Sequence, residues 1–351
     1  MNRIIPFAYL LFGCLLCSSL ALQAGNPDRQ GEAGAYELLM NPWARSAGLH
    51  TLTTSNITGV EALQLNVAGL SRINKTEILV GHSIYLQGTD MRMNAFGIGQ
   101  RVGENGAFGL SIMALDFGDI RVTTTDQPEG TGATFSPNFF NLGLSYAHTF
   151  ENKVSVGITV RGISEAIADV SAFGFAIDAG VQYVTGEQDN FKFGISLRNV
   201  GSRMTFGGEG LATQRPPPNN GNYDLTFEQR AASFELPSTL NIGLSYDFYP
   251  AEKNRLTLVG NFTANSFSRD EIGAGMEYAL NENFMLRAGY RHELGVENDF
   301  EASIYTGLSA GASVEIPLSR EKKDTRLGID YAYRATRVWN GTHNFSVRIA
   351  I

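Results

Sequence analysis

From Lys75 to Ile351, apolar and polar positions alternate with a period of two over segments of roughly ten residues, the side-chain repeat of a β-strand. The pattern is plainest where Phe140, Leu142, Leu144 and Tyr146 alternate with Asn141, Gly143 and Ser145. It recurs at 154–160, 173–183, 191–197, 240–248, 256–264, 272–280, 284–290, 304–316 and 327–333. Less regular strands fall near 76–87, 91–102 and 107–117, and the chain closes on Phe345, Val347, Ile349 and Ile351. About fourteen strands result, an even number of the kind that closes single-chain membrane barrels.

The two sides of these strands differ in chemistry. One carries Phe, Leu, Ile, Val and Tyr; the other carries Gly, Ser, Asn and most of the charges. A soluble sandwich would bury the apolar side in two cores of large residues and leave the polar side wet. Here the polar side is too rich in glycine and charge for that. Glu271, Glu277, Arg287, Arg291, Arg326, Asp330, Arg334 and Arg348 all fall on polar sides of neighbouring strands, where a lumen would let them pair. The expected fold is therefore an all-β transmembrane antiparallel barrel over 75–351, with lipid on its apolar side. Lipid cannot satisfy an open sheet edge, so the sheet must close. Phe345, Val347, Ile349 and Ile351 then form the lipid side of the closing strand.

Connections alternate in length. Those at 103–106, 151–153, 185–190 and 281–283 are short, while 117–137 and 207–237 are long. Short periplasmic turns and long outer loops are the rule for such barrels, which makes the long ones extracellular. The 207–237 loop contains Arg215, Pro216, Pro217 and Pro218, whose prolines favour extended backbone. Its Tyr223, Phe227 and Arg230 make it the leading partner-contact element.

Residues 25–74 lack the strand pattern and, preceding the first strand, are expected to start on the periplasmic side. They form either a tail there or a plug folded into the lumen. Leu38, Leu39, Trp43, Leu63, Leu65 and Leu70 favour the plug, because a solvated tail would leave them wet. Before them, Arg3, the apolar run from Ile4 to Leu22 and the small residues Ala21, Ala24 and Gly25 read as a signal peptide over 1–24. Both cysteines, Cys14 and Cys17, lie inside it, so the mature chain has no thiol chemistry.

Composition narrows the function. A formal net charge of −8 offers no basic field for nucleic acid. The five histidines, His50, His82, His148, His292 and His343, stand singly without metal-ligand spacing. No nucleophile elbow or phosphate loop occurs, so neither an enzyme nor a cofactor is expected.

Two stretches carry a family resemblance. The first joins Ala44, Arg45 and Gly48 to a box containing Asn66, Ala68, Gly69 and Leu70; the second runs from Phe117 through Gly132 to Ala147. Both resemble the PorV/PorQ family of outer-membrane proteins, related to the FadL-type transporters; Leu197–Gly201 and Asp330–Tyr333 fit as well. The chain departs from the family pattern at Val67, where the box has proline, and at Gly59 and Val60 before it. The resemblance implies a FadL-like barrel with a luminal plug in the Gram-negative outer membrane. It also implies a role beside the type IX secretion translocon of Bacteroidota, with translocon or secreted cargo as partner. The alternative is an uptake channel for a hydrophobic small molecule, which needs the same barrel and plug.

Overall fold

The computed structural model describes residues 25–151, 153–217, 223–297, 302–318 and 325–351. The segment 1–24, expected to be a signal peptide, and Pro218 lie outside the described residues. In chain order the strands begin with β1 (Thr76–Ile84), β2 (Arg92–Val102) and β3 (Gly106–Asp116). A small hairpin, β4 (Ile120–Arg121) with β5 (Thr134–Phe135), sits in the next connection. Then come β6 (Asn138–Phe150), β7 (Val154–Ile167), β8 (Val170–Thr185) and β9 (Phe191–Gly201). A second hairpin, β10 (Ala212–Arg215) with β11 (Leu225–Glu228), precedes β12 (Thr239–Ala251) and β13 (Asn254–Asn265). The wall finishes with β14 (Glu271–Leu280), β15 (Phe284–Glu293), β16 (Tyr305–Pro317), β17 (Arg326–Thr336) and β18 (Thr342–Ala350).

All but the two hairpins join into one closed antiparallel barrel of fourteen strands, each bonded to its neighbour in sequence. β18 closes on β1 with Ile78 opposite Ile349 and Val80 opposite Val347. Closure satisfies the backbone groups that lipid could not. Phe345, Val347, Ile349 and Ile351 are exposed on the outer side.

The hydropathy alternation becomes a difference in exposure. On β8, Phe173 and Phe175 are 60% and 56% exposed, whereas Asp178 and Gln182, facing inward, are 5% and 1%. Outward rings cluster toward the short-turn rim: Phe108 lies 4.8 Å from Tyr146, and Tyr246 lies 4.6 Å from Phe248. Such girdles mark the membrane interface.

The short turns at 103–105, 151–153, 186–190, 252–253 and 281–283 share one rim, and the long connections share the other. Two expectations change here. Residues 25–74 do not start at the short-turn rim. Gly25 bridges Arg269, the Asn26 N–H donates to the Ser268 carbonyl at 3.2 Å, and the Gly34 N–H donates to the Glu235 carbonyl at 3.0 Å. Those acceptors belong to outer connections, so this segment starts at the outer mouth and runs down the lumen to β1. The 207–237 loop also carries a short hairpin outside its prolines, which its irregular sequence did not show. Arg215 pairs with Leu225 and Thr213 with Phe227, and the prolines begin after the last paired residue, where their missing N–H costs no ladder bond.

Candidate functional site

The plug makes one circuit inside the wall. The Ala44 N–H donates to Ser346 Oγ of β18 at 2.9 Å, and Gly48 lies against Gly311 of β16. Leu49 meets Gly289 of β15 and Gly275 of β14, then Thr54 and Ser55 meet Gly243 of β12 and Gly194 of β9. Asn66 reaches Gly180 of β8, Val67 meets Gly157 of β7, and Leu70 rests on Gly109 of β3 and Gly99 of β2. Successive plug residues thus touch successive strands.

The wall accepts this inner ring because glycine stands where the two backbones approach. A Cβ on Gly180 would fall 2.0 Å from Asn66 Oδ1, and one on Gly194 would fall 2.4 Å from the Thr54 carbonyl oxygen. Four contacts use glycines directly opposite each other on adjacent strands: Gly99 with Gly109, Gly157 with Gly180, Gly194 with Gly243 and Gly275 with Gly289. These account for much of the glycine on the polar side of the alternation.

The motif residues build this ring. Asn66 Nδ2 donates to the carbonyls of Thr54 at 2.8 Å and Val181 at 3.1 Å, while its Oδ1 accepts from the Ala68 N–H at 3.3 Å. Gly69 has no room for a side chain, since a Cβ would sit 2.1 Å from the Ile57 carbonyl. Ala44, Ala68 and Leu70 are wholly buried, as are Leu38 and Leu63. Burying a leucine contributes roughly 1.5–3 kcal/mol, so the apolar ring is a substantial anchor.

Charge supplies the rest. Glu277 accepts from Arg287 Nε at 2.5 Å and lies 3.1 Å from Arg255 Nη1; Glu315 pairs with Arg348 and, at 3.0 Å, with Arg326. Arg45 of the plug sits in the field of Glu277, Glu315, Glu61 and Asp330, which hold its guanidinium above its ordinary pKa against the effect of burial. Glu61, 2% exposed, accepts from the Ser46 N–H at 3.1 Å. Burial, with Asp330 nearby, pushes its carboxyl up to about 7. Across the lumen, Arg161 donates to Asp178 at 2.6 Å and to the Leu63 carbonyl of the plug at 2.6 Å.

Above the plug, at the outer mouth, lies a cavity of about 290 Å³ bordered by Tyr36, Met40, Arg198, Glu271, Arg291 and Arg334 among others. None of the seven motif residues of the plug lines it. A wider concavity of about 600 Å³, bordered by Phe108, Leu144, Tyr146 and Ile158, opens on the lipid side and is a groove between outward side chains. Beyond the mouth stands the β10–β11 hairpin, tied at its base by Gln229 N–H to the Leu211 carbonyl at 2.9 Å. Tyr223, Leu225 and Phe227 alternate along one side of it and are 56%, 37% and 45% exposed. Arg215, Pro216 and Arg230 are exposed too, whereas Pro217 is buried. The alternation in the sequence placed the luminal arginines on the polar side; it carried no signal for the part Tyr36 plays in the vestibule.

Residues 87–349 match the family model of the type IX secretion system membrane protein PorP/SprF, well over half of the chain. The match begins beyond the plug and establishes the type IX association without the PorV/PorQ assignment that the motifs resemble. Curated proteins give no match. Among solved structures the chain is similar to the P. putida toluene transporter TodX, with a TM-score of 0.55 and 13% identity over 88% of this chain and 96% of that one. It is likewise similar to a Pseudomonas aeruginosa FadL homologue, with a TM-score of 0.51 and 13% identity over 88% of this chain and 97% of that one. At such identity the likeness is one of fold: a FadL-like barrel. The barrel, its apolar belt and its family together point to the outer membrane.

Proposed function

We propose that this chain, which belongs to the type IX secretion system membrane protein family PorP/SprF, is a non-enzymatic accessory of type IX secretion that binds translocon or cargo through its outer loops. The observation that carries the reading is the filled lumen. Trp43, Leu49, Leu52, Leu63 and Leu70 are buried inside the wall, and wall side chains hold the plug backbone from two sides, Arg161 at the Leu63 carbonyl and Ser346 at the Ala44 N–H. A barrel spent on holding its own plug has its outer surface left for work. There, the β10–β11 hairpin offers Tyr223, Phe227, Arg215 and Arg230, the residue types that anchor interfaces, on a preordered backbone that loses little entropy on binding. The finer resemblance to PorV/PorQ, carried by Ala44, Arg45 and Gly48 and by the box at Asn66, supports a role in binding or shuttling cargo.

A second reading, passage of a hydrophobic small molecule, draws on the likeness of fold to TodX and the FadL homologue. Replacing 211–232 with a short Gly-Ser linker separates the two. The secretion reading expects a normally assembled barrel that no longer co-purifies with translocon or cargo. Unchanged co-purification together with impaired uptake of an apolar solute would select the channel.

A further inference from the structure

Two arginines at the outer mouth lack the carboxylate partners that Arg161, Arg287 and Arg348 have in this lumen. Arg334 of β17 is 4% exposed, yet its Nε and Nη2 have no hydrogen-bond partner. Its guanidinium instead lies over the Tyr305 ring, 4.7 Å from the centroid. Arg198 of β9 is 6% exposed; its Nη2 donates to the Leu38 carbonyl at 3.0 Å, but its Nε is also without a partner. Both border the 290 Å³ cavity above the plug. The charged groups around that cavity are Arg198, Arg291, Arg334 and Glu271, and Glu271 is occupied by Arg291 at 3.0 Å. Three cations against one anion leave a formal charge of +2, inside a protein whose total is −8.

A buried guanidinium without an acceptor is costly, and an orphaned donor in a native structure calls for an explanation. An anion entering from the mouth supplies one, since a planar guanidinium matches a carboxylate in geometry as well as charge. The positive field extends beyond the cavity. His50, whose two ring nitrogens are buried without partners, is held neutral by burial and by Arg291 and Arg334. The remaining border includes Tyr36, Leu39, Met40 and Ile304, which suits an apolar body next to the charge.

We propose that the outer vestibule is a carboxylate-binding site, with Arg334 and Arg198 as the residues that grip the anion. The ligand is a free organic acid or an acidic side chain presented by a partner at the mouth; the shared chemistry is the carboxylate. The site does not rest on the contact role of the β10–β11 hairpin.

Calorimetric titration of the full-length protein in detergent tests it, using benzoate against benzamide and the capped tripeptide Gly-Asp-Gly against Gly-Asn-Gly. At least one acid should bind tenfold or more tightly than its amide, and Arg334→Met and Arg198→Met should each weaken it tenfold or more. Tighter binding of benzoate identifies a free acid, and tighter binding of the peptide identifies a partner's side chain. Neither variant strands a buried anion, so both should keep wild-type heat-modifiability on gels. Equal binding of acid and amide, unchanged affinity in Arg334→Met, preferential binding of inorganic phosphate, or no binding at millimolar concentration would each overturn the proposal.

Discussion

The lower lumen and the outer vestibule are lined by the same strands, yet they treat buried arginine in opposite ways. Below, Arg161 and Arg287 reach carboxylates at 2.6 Å and 2.5 Å, and Arg161 also holds the plug backbone. Around the vestibule, Arg198 and Arg334 keep donors unused. Burying a charge is tolerated where a partner is built in, and the two regions differ in whether that partner belongs to the chain. The paired arginines are structural; the unpaired ones are available to something else.

Breaking a pair should produce the largest effect. Asp178→Ala strands the guanidinium of Arg161, which is 1% exposed, and is expected to cost about 3–5 kcal/mol in denaturant unfolding from detergent. Arg334→Met in the vestibule should change stability by less than about 1 kcal/mol, because it leaves no stranded partner. Equal destabilisation by the two would erase the distinction.

The glycine ring comes next. Gly180→Val, which drives a side chain into Asn66, should cost roughly 1–3 kcal/mol and raise antibiotic sensitivity as the plug loosens. Gly162→Ala is the matched control, since a Cβ there meets only the Phe173 ring at 3.8 Å. Its stability and permeability should stay at wild-type level.

How far the sequence revealed these regions depends on how local the cause was. Period-two hydropathy fixes the face of every residue within a strand, so the barrel, its closing strand at Phe345 to Ile351 and the luminal side of Arg287 were all legible. Pairing was legible as an opportunity only: whether Arg334 meets a carboxylate depends on strand register across the whole wall. The entry of the plug at the outer mouth was hidden because Asn26 and Gly34 dock through backbone groups, which leave no side-chain pattern. Glycines such as Gly180 and Gly194 stood visibly on the polar side, but their counterparts in the plug lie more than a hundred residues away. The β10–β11 hairpin is four residues deep and interrupted by prolines, too short for alternation to declare itself.

The last effect concerns pH. Glu61 keeps its proton in the folded chain up to about 7, whereas in the unfolded chain it loses it near 4.5. A carboxyl whose folded pKa is raised favours the folded state while protonated, so its contribution to stability falls as pH rises from 4.5 to about 7 and is flat above. Melting temperatures followed between these values should show that decline, and Glu61→Gln should flatten it. A decline of the same size in the variant would assign it to other groups.

The central claim is that residues 25–74 fill the lumen and leave the outer face to act. Conductance across a planar lipid bilayer addresses it most directly, comparing the full-length barrel with one lacking 25–74. The account predicts that the full-length protein inserts without porin-like conductance steps and that the truncated barrel opens them. Steps of equal size from both proteins would contradict it.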